Sequence, residues 1–116
     1  MAELRVEGTD LVVELSELEK LGAFRGDVRV PLAAVRAVRV ADDPRPELRG
    51  IRAPGTGIPG IIALGARRGD GHDFAAVYHD RPAVVVELEG AAFDRLVISL
   101  DNPEAVAATV RAAAQL

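Results

Sequence analysis

Cysteine is absent from the 116 residues, which excludes disulfides, thiolate zinc sites and a thiol nucleophile together. A chain without disulfides fits a reducing compartment, and a cytoplasmic location is expected. Aromatics are scarce. Three Phe, one Tyr and no Trp leave few rings on which bases could stack. Lysine occurs once, at Lys20, and acidic residues outnumber basic ones to give a formal charge of −4. Nucleic-acid binding through bulk electrostatics needs clustered cations that displace counterions, so no nucleic-acid partner is expected. Long apolar runs are missing too, and the start, Met1-Ala-Glu-Leu-Arg-Val-Glu-Gly8, has no basic region followed by an apolar stretch. Neither a transmembrane segment nor a signal peptide is expected. Serine is represented only by Ser16 and Ser99, neither within G-x-S-x-G.

What the chain does have is one stretch unlike the rest, residues 50–65, with five of the eleven glycines and two of the seven prolines. Glycine accepts positive φ and proline fixes φ while supplying no amide donor, so such a segment follows paths closed to other residues. The surrounding charge is uneven. Between Pro44 and Arg68 stand Arg45, Arg49, Arg52, Arg67 and Arg68 against Glu47 alone, a local +4 on a remainder of −8. The candidate binding residues are Arg49, Arg52, Gly55, Thr56, Gly57, Gly60 and Arg67, facing either an anion or the acidic face of a protein partner.

Along the chain, short strands recur. Leu4 to Leu15 reads as a hairpin around Gly8-Thr-Asp10, and Ser16 with Glu19 forms a capping-box pattern before a helical turn or two that Gly22 stops. Asp27 to Leu32 alternates with period two; Leu32, Val35 and Val38 then point to one tight turn before extension resumes to Asp42. Leu48–Ile51 is at best a short strand, and Ile61, Ile62 and Leu64 mark another. Arg67 to Asp73 reads as a polar turn. Strands are expected at 74–78, 83–88 and 95–100, with Val84, Val86, Leu88, Leu96 and Ile98 inward. The last segment changes period: Asn102 suits an N-cap, Pro103 the first helical position and Glu104 the positive end of the dipole. Val106, Val110 and Ala113 share one face. A single domain over residues 1–116 is expected, mainly β with one C-terminal α-helix.

The segments Val28 to Val38, Arg49 to Gly60, Phe74, Val84 to Leu88 and Leu96 to Pro103 together resemble small stand-alone bacterial pleckstrin-homology-like domains. The resemblance implies an antiparallel barrel, or two bent sheets, of about seven strands in meander order capped by the helix. It does not imply phosphoinositide binding, because the basic cluster that lipid-binding relatives carry between their first two strands is replaced by Glu7-Gly-Thr-Asp10.

Gly55-Thr-Gly-Ile-Pro-Gly60 matches G-x-G-x-x-G in form, but Pro54 precedes it and strand-like Ile61-Ile-Ala-Leu64 follows where a dinucleotide fold needs a helix. His72-Asp73 and His79-Asp80 are separated by a whole strand, which puts the imidazoles at opposite ends. No catalytic residue, cofactor or metal ligand is assigned. The chain is expected to be a non-enzymatic interaction module; a binder of anions or lipid headgroups through residues 45–68 is the alternative, and a small enzyme comes last. Self-association is also expected, since Val85 and Val97 lie opposite the inward set and need cover, which a second copy joined through strand edges would provide.

Overall fold

The computed structural model describes residues 1–23, 25–49, 51–52, 60–69 and 71–116, and the side chains of residues 51 and 52 fall outside that description. Its nine strands and two helices run β1 (Glu3–Glu7), β2 (Asp10–Glu14), α1 (Glu17–Ala23), β3 (Val28–Pro31), β4 (Val35–Ala41), β5 (Ile51–Arg52), β6 (Ile61–Arg68), β7 (His72–Tyr78), β8 (Ala83–Leu88), β9 (Arg95–Ser99) and α2 (Pro103–Ala113). Strands β1-β2-β3 form one antiparallel sheet, and a second sheet has the order β4-β8-β9-β7-β6-β5. The chain passes from the first to the second through a 3-10 turn at Leu32–Ala34, which is the tight turn that the three-residue spacing predicts.

The two sheets do not close into a barrel, and the strand order is not a meander. Strands β7 and β9 are parallel, with Phe74 opposite Leu96 and Ala76 opposite Ile98. Strand β9 fills a place between β7 and β8, which are consecutive in the chain. Four residues, His79 to Pro82, reach about 13 Å and can span the roughly 10 Å of two strand spacings. Asp80 turns the corner with φ 58, a conformation Asp tolerates. Consecutive strands pair only about two-thirds of the time, and period-two alternation carries no record of which strand lies alongside. That is why the expected antiparallel meander of about seven strands is replaced, among the described residues, by nine strands with one parallel pair.

The main core lies between the sheets. Leu4, Leu11, Val13, Val28 and Val30 from the first meet Phe74, Val84, Val86, Leu96 and Ile98 from the second. Helix α2 packs against β1, β4 and β8, so it covers the gap between one edge of each sheet. Ala107 and Val110 are its innermost residues at 0% exposure, with Val106 and Ala113 at the margin. Arg111 Nε donates to the Val38 carbonyl at 3.0 Å, occupying an acceptor on strand β4. Asn102 holds the N-cap position but its side chain makes no cap bond, leaving Pro103 at the first helical position as the start signal. On the outer face of the first sheet Val12 is buried at 1%. Its register partners Arg5 and Arg29 flank it with their alkyl stems, and their guanidinium groups pair with Glu7, Glu14 and Asp10.

Helix α1 follows its capping box: Ser16 Oγ accepts the Glu19 N–H at 3.2 Å while Glu19 Oε1 accepts the Ser16 N–H at 2.8 Å. The carboxylate of Glu19 is buried at 1% and its second oxygen accepts the Tyr78 hydroxyl at 2.8 Å, tying α1 to β7. No helix among the described residues is long and apolar enough to cross a membrane.

Candidate functional site

Strands β4 and β5 stand at opposite edges of the second sheet, so the nine residues between them must cross one of its faces. About 24 Å separates the edges, within the roughly 30 Å reach of the connection. The hydrogen bonds show which face it takes. Arg95 Nη1 donates to the Glu47 carbonyl at 3.2 Å, Arg67 Nε to the Arg49 carbonyl at 3.2 Å, and the Arg49 guanidinium grips both Asp73 oxygens at 2.6 and 3.0 Å. Each of these anchors comes from the face opposite the main core. Segment 42–49 therefore forms a strap over that face.

Beneath the strap the face has two halves. One is apolar, made of Ala63, Ala75, Val77, Ala83, Val85 and Val97, with Leu48 of the strap packed on it. Val85 and Val97 are 0% and 1% exposed within the single chain. The expectation that they need a second copy for cover is corrected: the chain covers them itself. The other half is a charged row running across register partners Arg67, Asp73, Arg95 and Glu87 on four strands. Arg95 Nε meets Glu87 at 2.7 Å, and Arg39 reaches Glu47 at 2.6 Å, a hydrogen bond that holds the Glu47 carboxyl below the usual carboxylate range. Asp73, at 2% exposure, is the most enclosed charge of the row.

Glycine at position 71 permits this arrangement. A Cβ there would lie 2.8 Å from Arg49 Nη2 and 2.9 Å from Asp94 Oδ2, closer than van der Waals contact allows.

The strap delivers the chain to the Gly/Pro segment. Arg49 is bound to Asp73 just before it, and within it the Gly60 carbonyl accepts the His79 N–H at 2.7 Å. Gly60 has φ 81, the left-handed region. Gly60→Ala is expected to cost about 1 kcal/mol, read as a lower urea midpoint at unchanged slope. Of the remaining sequence candidates, Gly55, Thr56 and Gly57 lie outside the described residues, as does the rest of the G-x-G-x-x-G match apart from Gly60. Arg52 is placed by its backbone on β5, and Arg67 serves the strap. Arg45, also counted in the local charge excess, is paired with Asp43 at 2.9 Å. Arg49 and Arg67 thus act as staples for the strap.

A cleft of about 150 Å³ opens beside the loop's exit, between Asp42–Arg45 and Tyr78–Arg81. His79 there contacts Asp80 at 3.2 Å and Arg81 pairs with Asp101, while His72, at the far end of β7, holds the Ala92 carbonyl through Nδ1 at 3.1 Å. No cluster of three or more His, Asp or Glu residues able to hold a metal ion occurs among the described residues. Ser99 is buried, and its hydroxyl accepts the Tyr78 N–H at 2.9 Å where the parallel pairing of β7 and β9 ends.

Tyr78 has a measurable signature. Burial first, then its hydrogen bond to the Glu19 carboxylate, raise its phenol well above the ordinary tyrosine range. A folded-state pKa raised above the unfolded value of about 10 contributes stability that is intact below pH 10 and is lost as pH climbs toward the folded value. Because the chain contains one Tyr, absorbance near 295 nm reports this residue alone. Phenolate is expected to appear only together with alkaline unfolding; a separate titration near pH 10 in folded protein would refute the buried pair.

Two exchanges sum up what the sequence could not signal. Asp73 reads as half of a His-Asp pair, yet its partner is Arg49, twenty-four residues earlier. Glu19 reads as a cap and is one, but the spacing gives no hint of Tyr78. Comparison with family models, curated proteins and solved structures finds no match to this chain.

Proposed function

We propose that the chain is a non-enzymatic interaction module that presents residues 53–59 to a protein partner. The observation that carries this reading is the fixing of both flanks of the segment, by Arg49 with Asp73 on one side and Gly60 with His79 on the other. Binding residues are disproportionately carried on loops held by rigid scaffolds, and fixed loop ends lower the ordering cost of recognition. The paired state of Arg45 and Arg49 favours a protein partner over an anion at this loop.

The kinship to pleckstrin-homology-like domains is proposed at the level of two sheets with a terminal helix, and the cytoplasm is its proposed location. Self-association is proposed through strand edges in place of Val85 and Val97.

The test combines a photo-crosslinking residue at position 56 with a control at Glu3, each introduced in the native cell. A discrete adduct from position 56 that is absent from position 3, and that disappears when 53–59 is replaced by a Gly/Ser sequence of equal length, supports the proposal. Equal adducts from both positions, or an adduct that survives the replacement, would refute it.

A further inference from the structure

Most described arginine side chains are engaged. Arg5, Arg29, Arg36, Arg39, Arg45, Arg49, Arg81 and Arg95 pair with carboxylates, Arg111 bonds a carbonyl, and Arg67 bonds the strap. Arg25 and Arg68 have no ion pair or hydrogen bond from their guanidinium groups among the described residues. They fall at one corner of the molecule.

Register and ring geometry establish the proximity. Arg68 is the cross-strand partner of His72, and Ala66 that of Phe74, so Arg68, His72 and Phe74 lie on one face at the end of the β6–β7 hairpin. The guanidinium of Arg25 sits over the same place, 5.8 Å from the Phe74 ring centre and 5.2 Å from that of Phe93. The Phe93 ring in turn contacts the His72 imidazole at 4.6 Å. Both phenylalanines are buried, while Arg25 and Arg68 are exposed. Two buried rings thus support one planar cation at the surface, beside a second cation and an imidazole.

Among the described residues, the neighbouring carboxylate of Asp94 makes no ion pair with Arg25 or Arg68. Asp94 Oδ2 accepts the His72 backbone N–H at 2.8 Å and is directed toward Gly71 and Arg49. His72 Nδ1 donates to the Ala92 carbonyl, which leaves Nε2 as the ring nitrogen without a partner among the described residues.

We propose that Arg25 and Arg68, beside the His72 ring, form a binding site for a dianionic phosphate group. Two guanidinium forks supply charge and N–H donors matched to phosphate oxygens, and the two rings near Arg25 fix where one of the forks sits. The site uses none of the loop residues 53–59, so it stands or falls apart from the protein-partner reading. A small soluble molecule and a lipid headgroup are the two carriers of such a phosphate, and two arms separate these sources.

In one arm, inorganic phosphate is titrated into ¹⁵N-labelled protein; in the other, phosphatidylcholine vesicles with and without phosphatidic acid are floated with the protein. Saturable shifts centred on His72 and Phe93, weakened about tenfold by Arg25→Gln or Arg68→Gln and unaffected by Arg81→Gln, support a site for soluble phosphate. Flotation only with phosphatidic acid, lost in the same two variants and kept in Arg81→Gln, supports a lipid headgroup. Should Arg25→Gln lower the melting temperature through its lost ring contacts, Arg68→Gln alone decides. Absence of binding in both arms, or equal weakening by Arg81→Gln, would overturn the proposal.

Discussion

Val85→Glu is expected to abolish folding. Val85 is wholly enclosed under the strap, among Ala75, Ala83 and Val97, and its cross-strand partners are Arg39 and Val97. A carboxylate forced into the apolar half of that layer costs several kcal/mol unless it draws a cation inward. Arg39, the nearest candidate, is already committed to Glu47 and Glu87, so recruiting it would dismantle the strap's anchors. Either way the loss approaches the 5–15 kcal/mol that holds a domain of this size. Circular dichroism and the soluble yield of the variant check the outcome. A folded Val85→Glu protein with the parent melting temperature and an altered mass by light scattering would instead restore an exposed interface at this position.

Removing residues 103–116 is expected to have an effect of the same order. The truncation strips Ala107 and Val110 from the core and opens the gap between β1 and β4 that α2 covers. Full burial of one Val contributes roughly 1.5–3 kcal/mol, and Leu4, Val38 and Val86 in the same core lose neighbours as well. The Val38 carbonyl also loses its Arg111 donor. The shortened chain should show no cooperative thermal transition. One that melts sharply at the parent temperature would mean that α2 is dispensable.

Local signals carried far in this chain. The Gly8-Thr9 hairpin, the Ser16–Glu19 capping box, the tight turn after Pro31 and the Pro103 helix start each depend on residues within a few positions of one another, and each stands where the pattern puts it. What period-two alternation cannot encode is partnership. Arg67 and Arg68 read as turn because they are polar, yet they end the eight-residue strand β6, and His72 and Asp73 open β7. Val85 and Val97 alternate out of phase with the main core because the sheet has a second covered face, which a strap of polar and turn-forming residues conceals from a hydropathy reading. The candidate arginines were legible as a charge excess. Their assignment to Asp73 and Asp43 depends on how the strap lies, and no spacing rule reaches that far.

The position of β9 has a consequence for how the protein is made. As the chain leaves the ribosome, β7 and β8 emerge before the strand that belongs between them. Their four-residue connection is also the length of an ordinary hairpin loop, so the two can pair directly as neighbours during the seconds of synthesis that precede β9. Native assembly then requires that provisional hairpin to open, with β8 turning to β9 through the 89–94 connection and the joined pair closing on β7. A slow refolding phase, set by release of the premature β7–β8 pairing, is the expected kinetic mark of this topology, and single-exponential refolding in a stopped-flow trace would count against it.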